Sequence, residues 1–327
     1  MTDIKSKQKQ HYVPQFYLKN WLGRDGIWVN HKSEKNKPPY AKKSTKDVGE
    51  ERYFYGSLID DVVYDMLVYK YSERLKNNDK LLHSILSEFK KFQLIDDVAY
   101  KKKGIIFNDK DTINKLEQLY DVFKKNFLED KYSNIENTLS KSINQFNELN
   151  STLIETFIPN GTFESLLAFY CFQLHRTPKA LATFQNAISS FSIIKNGIES
   201  ELTNIQKKSL IKYILYIDSF LLAERLAKEN YSIRIFKNRT KKRFITSDSP
   251  SVIIFKDNIF GFIPLTPKLL MQIEKGNTFN KVSPNRISID YLFSSEKVSI
   301  INDIIHEQSD RYLYARNKND FLAKNEK

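Results

Sequence analysis

The spacing of apolar residues changes once along the chain, near Tyr231, and this change constrains the fold more than any other feature. From Leu58 to about Ala227, apolar residues recur every three or four positions, which is the period of an amphipathic helix. After Tyr231 they fall into short runs rich in Ile, Phe and Val that are separated by turn residues, as in β-strands. The sequence therefore predicts an α+β fold, with a predominantly helical body and a small, mostly antiparallel β-sheet in the C-terminal third.

These patterns favour a single intertwined domain over residues 1–323. The N-terminal segment is predicted at 11–55, the helical body at about 56–228 and the β-rich part at about 231–275. A C-terminal helix is predicted at about 297–310 and a disordered tail at 324–327. The runs predicted to form the strands of the sheet are 232–236, 244–246, 251–255, 260–263 and 269–273. A helical stretch after Pro178 is predicted to run on to Ile194.

Composition excludes several classes of protein. With 327 residues, of which 41% are hydrophobic, the chain has enough apolar surface to fold into a core. The single cysteine, Cys171, excludes a disulfide framework and multi-cysteine metal sites. No glycine-rich phosphate loop is present, and no run approaches the roughly 18 apolar residues of a membrane span. Because the first residues also lack the apolar core of a signal peptide, we expect a cytoplasmic protein without membrane contact.

The chain is strongly basic, with 52 Lys and Arg residues against 39 Asp and Glu residues and a net charge of +13. Such a charge is typical of proteins that bind phosphate groups, so RNA or DNA is a candidate partner. A solvated basic surface without a ligand is the alternative interpretation. Basic residues concentrate at 5–9, 101–103 and 237–243. The last of these clusters lies between two apolar runs and is predicted to be the tip of a basic hairpin, or else an ordinary polar turn.

Functional residues are best sought where a polar side chain interrupts an apolar context, because burial of such a group is costly unless it is paired. His11 directly precedes an aromatic-rich segment, where it has either a functional role or a structural role in capping or packing. Gln173 and Arg176 share a face at the end of the most apolar predicted helix. Arg176 is either a clamp for a phosphate or carboxylate, or the structural partner of a buried acid.

Ser247 and Asp248 lie in a short polar segment between two predicted strands. A carboxylate beside hydroxyl groups at a strand end can accept a proton, bind a metal or neutralise an arginine. The structural alternative is a turn in which these short side chains bond to the backbone. The histidines lack the mutual spacing of metal ligands, and Cys171 in an apolar helix favours a place in the core over a nucleophilic role.

Four segments resemble a bacterial family known as domain of unknown function 4238. They are the opening box at 11–21, Gln173 with 176–178, the segment 244–250 and the corner 264–267. The resemblance spans nearly the whole chain and implies that such proteins reuse the positions of His11, Gln173, Arg176, Ser247 and Asp248. It implies no activity, and only a loose association with bacterial defence or mobile-element genes.

One functional hypothesis is an enzyme that cleaves phosphodiesters in RNA or DNA. In this hypothesis His11 is the general acid or base, Arg176 stabilises charge on the phosphate, and Asp248 orients the histidine or holds a divalent ion. The substrate-binding residues are then Gln15, Gln173, Thr177 and Ser247. A divalent metal is compatible with this chemistry, although the sequence contains no ligand motif for one.

The competing hypothesis is a non-catalytic module that binds nucleic acid or protein. Arg176 then pairs with Asp248, and His11 bonds to the same structural network. An enzyme places these groups in an open cleft, whereas a structural network is buried and hydrogen-bonded.

Overall fold

The computed structural model describes residues 7–34, 37–107, 109–148, 161–188, 192–195, 198–256, 258–275 and 287–321. The α-helices are α1 (Gln15–Lys19), α2 (Asp61–Lys70), α3 (Ser72–Lys76), α4 (Lys80–Asp96), α5 (Lys103–Ile106), α6 (Lys110–Glu148), α7 (Thr162–His175), α8 (Pro178–Ile188), α9 (Asn204–Lys228) and α10 (Ser295–Gln308). The strands are β1 (Lys9–His11), β2 (Ile27–His31), β3 (Tyr40–Lys42), β4 (Glu50–Arg52), β5 (Ser192–Lys195), β6 (Ile198–Glu201), β7 (Tyr231–Asn238), β8 (Thr246–Ser247), β9 (Val252–Lys256), β10 (Ile259–Thr266), β11 (Leu269–Lys275), β12 (Ile287–Leu292) and β13 (Tyr312–Ala315). No helix in these ranges is both long enough and apolar enough to cross a membrane.

The α+β fold class is confirmed, with helices through most of the first 228 residues and the largest sheet after them. The helix predicted to reach Ile194 is wrong in its last part, because α8 ends at Ile188 and the β5–β6 hairpin follows within the predicted helical body. The predicted C-terminal helix is α10, shifted by two residues toward the N-terminus. The predicted tail at 324–327 lies outside the described residues.

The chain divides into two compact units. The first comprises Met1–Gln10, Arg52–Tyr132 and Ala180–Asp218, and the second comprises His11–Glu51, Ser133–Lys179 and Ser219–Lys327. The prediction of one intertwined domain stays a prediction.

The first unit is built on aromatic packing between helices. Phe89 and Phe92 of α4 contact the ring of Phe127 on α6, at centroid distances of 6.0 and 4.5 Å. Phe89 also contacts Tyr213 of α9, whose hydroxyl bonds to that of Ser57 at 2.9 Å. These large side chains recur at helical spacing, which explains why the sequence pattern located the helices.

The second unit contains a five-stranded sheet with the order β12-β7-β11-β10-β9. All neighbouring pairs are antiparallel except β12 and β7, which run parallel with Tyr291 opposite Lys237. The prediction of a mostly antiparallel sheet is therefore confirmed, and β12 is the strand that the prediction missed. Because β12 is parallel to β7, it cannot be joined to it by a tight turn.

A four-stranded sheet with the order β3-β2-β13-β8 completes the second unit. A buried apolar core contains side chains from this sheet, from the five-stranded sheet, from helix α10 and from the segments that adjoin them. Its members are Phe244, Ile245, Val252, Phe262, Leu270, Leu292, Val298, Ile305, Leu313 and Ala315.

Two turn predictions in the second unit need correction. Residues 237–243 are not a hairpin tip, because the segment 239–245 connects β7 of the five-stranded sheet to β8 of the four-stranded sheet. The corner predicted at 264–267 is only partly correct: Pro264 lies within β10 opposite Leu270, next to an irregularity in the register, and the turn before β11 follows Thr266. A proline is tolerated at such an irregularity because the strand needs no ladder hydrogen bond there.

Candidate functional site

The His11 side chain is buried and bonded at both ring nitrogens. Its Nδ1 lies 3.1 Å from the backbone oxygen of Val48, and its Nε2 lies 2.7 Å from Nε2 of Gln15. The Gln15 amide nitrogen is a donor and the Val48 oxygen an acceptor, so the pattern assigns the proton of a neutral imidazole to Nδ1. Residual exposure of only 9% leaves this ring little access to solvent.

Arg176 follows α7 and is 3% exposed. Its Nη1 donates to Oε1 of Glu136 at 2.5 Å, and its Nη2 donates to the backbone oxygen of His11. The arginine therefore holds the opening segment to α6 and α7 within the second unit. The proposed pairing of Arg176 with Asp248 is replaced by a pairing with Glu136.

The Asp248 carboxylate is fully buried and accepts three backbone N–H groups. Oδ1 accepts from Asp310 at 3.0 Å, and Oδ2 accepts from Arg311 at 2.7 Å and from Tyr312 at 3.0 Å. Burial raises the pKa of this carboxyl, while the three N–H donors act in the opposite direction. Asp248 therefore fixes the segment between α10 and β13.

Tyr12 connects the opening segment to the Asp248 region. Its hydroxyl bonds to the side chain of Tyr314, and its electrostatic neighbours include Asp248 and Arg311. Five residues on, the Tyr17 hydroxyl bonds at 2.6 Å to Thr246 Oγ1 and to the Pro264 oxygen. The opening box thus packs against the other segments that carry the resemblance.

The structure brings only some of the predicted site residues into direct contact. His11 contacts Gln15 and Arg176, whereas the hydrogen bonds of Asp248 go to the segment 310–312. Thr177 is buried, and the Ser247 hydroxyl accepts from the backbone N–H of Ser249 at 3.1 Å.

Residues 237–243 form a second candidate site, which we call the basic turn. The Asn238 side chain organises it from within: Oδ1 accepts from the backbone N–H and hydroxyl of Thr240, and Nδ2 donates to the Lys242 oxygen. The Lys268 ammonium crosses the turn and donates to the Thr240 oxygen. These bonds make the turn a rigid structure rather than a loose loop.

Further bonds fix the basic turn to its surroundings. The Arg239 N–H donates to the Leu292 oxygen at 2.9 Å. Asn302 of α10 donates from Nδ2 to the Arg243 oxygen at 2.9 Å, and the Lys242 ammonium donates to the Ser299 hydroxyl at 2.7 Å.

Cations crowd at this turn. Burial lowers the pKa of Lys237, and the charge of Arg239 lowers it further. Burial likewise lowers the pKa of Lys268, with Arg243 adding to the effect. Asp320 supplies some opposing charge, 3.5 Å from Arg243. An anion bound here would relieve like-charge repulsion that the fold maintains without it.

A family model described as "Protein of unknown function (DUF4238)" matches residues 9–319. The chain belongs to this family. No curated protein and no solved structure matches the chain significantly. The DUF4238 match includes both the opening box and the basic turn. Among the described residues of this DUF4238 chain, no group of three or more His, Cys, Asp or Glu side chains is arranged to hold a metal ion.

Gln173 is a buried residue of the DUF4238 chain with an unusual environment. Its side chain is fully buried on α7, and neither amide atom has a hydrogen-bond partner within the described ranges. The residue lies one helical turn after Phe169, whose ring contacts Phe16 and Tyr17 of α1 at 5.8 and 5.9 Å. A buried amide without partners destabilises a fold, so this position invites a direct test.

We expect Gln173→Met to raise the free energy of unfolding by about 1 kcal/mol, because it removes an unpartnered polar group at nearly constant volume. Urea unfolding followed by circular dichroism measures the change.

Gln10 provides the matched control, since it is also fully buried but bonded at both ends of its amide. Oε1 accepts from the Tyr55 N–H at 2.6 Å, and Nε2 donates to the Lys125 oxygen. Gln10→Met should therefore lower the free energy of unfolding by about 2 kcal/mol or more. Equal losses in the two variants would mean that the Gln173 amide has a partner in solution.

Proposed function

We propose that this DUF4238 protein is a nucleic-acid-binding module that contacts the phosphate backbone through the basic turn. The observation that carries the proposal is the clustering of cations on a hydrogen-bonded turn. The half-buried Lys268 donates to the Thr240 oxygen and is affected by the charge of Arg243, while Arg239 and Lys241 are exposed in the same turn. Lysine and arginine side chains contact the phosphate groups of nucleic acids, and this electrostatic attraction does not depend on the base sequence.

The environment of the predicted catalytic residues supports binding over cleavage. Both His11 ring nitrogens have partners, and the Asp248 carboxylate is committed to three backbone donors. A general acid or base must reach the proton that it transfers, and a buried bonded ring does so poorly. In this proposal His11, Arg176 and Asp248 stabilise the fold, and we expect no cleavage of RNA or DNA with or without divalent metal.

The basic turn supplies a direct test. We expect Arg239→Ala combined with Lys241→Ala to weaken binding of a labelled oligonucleotide roughly tenfold at low salt, since two phosphate contacts are lost. The slope of log affinity against log salt should fall by about two. Fluorescence anisotropy across a salt series measures both quantities.

Lys256 and Lys275 provide a control with the same change in charge. Both are exposed, and both lie at the opposite end of the five-stranded sheet, where Lys275 pairs with Tyr231 at the start of β7. Replacing both with alanine should leave most of the affinity intact. Equal losses in the two double variants would mean that net charge, and not the basic turn, drives binding, and would overturn the proposal.

The proposed location is the reducing cytoplasm, which the free and buried Cys171 supports. A role in bacterial defence stays a prediction.

A further inference from the structure

Two aromatic side chains lie beside the basic turn. Tyr291 and Phe293 are two positions apart at the end of β12, and their ring centroids are 6.1 Å apart with an angle of 34° between the ring planes. Phe293 is 76% exposed, which is a large apolar surface for a residue between a strand and a helix.

Arg239 joins these rings to the basic turn. Its guanidinium carbon lies 4.9 Å from the centroid of the Tyr291 ring, and its backbone N–H donates to Leu292. The two aromatic rings therefore adjoin Arg239 of the basic turn, and Lys241 is exposed in the same turn. We call these four residues the aromatic-basic surface: Arg239, Lys241, Tyr291 and Phe293.

The backbone on both sides of Phe293 is fixed. Leu292, which precedes it, is buried and pairs with Asn238 of β7. Ser294, which follows it, caps α10 by accepting from the Lys297 N–H at 3.2 Å. A ligand that stacks on Phe293 would therefore bind with little loss of backbone conformational entropy.

Phe255 is an exposed phenylalanine that lies away from the basic turn, and it serves as a comparison for Phe293. It lies on β9, at the other edge of the same sheet, and is 69% exposed. Its ring packs on the buried Phe260 at 4.9 Å. Single exposed apolar side chains are common, so exposure alone does not mark a site. Phe293 differs because its ring adjoins Tyr291, over which a cation of the basic turn lies.

We propose that the aromatic-basic surface binds single-stranded nucleic acid, with an unpaired base stacked on Phe293 and the flanking phosphates held by Arg239 and Lys241. This inference rests on the proposed nucleic-acid binding and names its substrate class. Single strands expose base faces to aromatic side chains, whereas a duplex covers those faces and offers only base edges and phosphates.

The test uses the purified full chain and fluorescence anisotropy with four labelled probes of equal length: oligodeoxyuridine, oligouridine, a DNA duplex and an abasic DNA strand. We expect the two single strands with bases to bind about tenfold more tightly than the abasic strand. Phe293→Leu should abolish this difference without weakening abasic binding, while Phe293→Tyr preserves it. Phe255→Leu is the control and should change neither affinity. Because oligodeoxyuridine and oligouridine differ only in the 2′-hydroxyl group, the ratio of their affinities identifies DNA or RNA as the preferred ligand.

Each outcome bears on a separate claim. Binding of all four probes with equal affinity, unaffected by Phe293→Leu, would overturn the single-strand inference and leave the phosphate-binding proposal standing. Absence of binding to every probe by the folded wild-type protein would overturn both. Circular dichroism and the Tm of each variant establish that the proteins compared are folded.

Discussion

Arg176→Met is expected to lower the free energy of unfolding by about 3 kcal/mol or more, because it leaves the Glu136 carboxylate and the His11 carbonyl without their cationic donor. Thermal unfolding should show a fall in Tm of about 5 °C or more. Arg176→Lys should be intermediate, since an ammonium keeps the charge but lacks the planar fork that reaches both oxygens.

A double variant separates the contribution of the unpaired Glu136 charge from the rest of the stability that Arg176→Met loses. Arg176→Met combined with Glu136→Leu removes both charges, so the stranded carboxylate no longer contributes. We expect the double variant to recover part of the stability that Arg176→Met loses. If Arg176→Met leaves Tm unchanged but abolishes a nucleic-acid activity, the structural role of the arginine is refuted and the catalytic hypothesis gains support.

Asp248→Ala is expected to lower the free energy of unfolding by about 3 kcal/mol, because the three backbone N–H groups of residues 310–312 lose the fully buried carboxylate that accepts from them. Asp248→Asn should cost less, since its single amide oxygen can still accept from Arg311 and Tyr312. Urea unfolding should therefore rank the wild type above the asparagine variant and the asparagine variant above alanine.

Asp303 is the matched control for this series, as an exposed aspartate on α10. Asp303→Ala should leave the free energy of unfolding within about 0.5 kcal/mol of wild type. A fully stable Asp248→Asn variant would show that the carboxylate is not the anchor of this segment.

Local sequence patterns correctly predict many of the helices and strands. The runs that became β7, β9, β10 and β11 are dense in Ile, Phe and Val, and the side chains of each strand find neighbours in the same sheet. Strand β12 was missed because it joins the sheet through parallel pairing with β7, about 50 residues earlier in the chain, which no short pattern reveals. The assignment of β8 to a different sheet was equally hidden, and it made the basic turn look like a hairpin.

In the candidate site, too, the sequence indicates the residues that matter locally but not their partners from distant parts of the chain. The sequence singles out the segment around Asp248 because an acidic side chain in an apolar environment needs hydrogen-bond partners or a counterion. It suggests the backbone of the same turn, or Arg176, as the partner. The partners are instead backbone N–H groups about 60 residues later in the chain. Glu136 was overlooked as the partner of Arg176, because α6 carries many charges at a spacing typical of a solvated helix.

The pairing of β2 with β13 has a consequence for the order of events during synthesis. His31 and Tyr312 are partners in the four-stranded sheet, although they lie about 280 residues apart in the chain. At ordinary translation rates the opening segment would wait roughly 15 to 60 seconds for the strand that completes its sheet. Until Thr246 and Pro264 have been synthesised, Tyr17, which ends fully buried, lacks both of these hydrogen-bond partners. A ribosome stalled before Thr246 would therefore leave the opening box without these contacts, with its aromatic side chains accessible to chaperones and proteases.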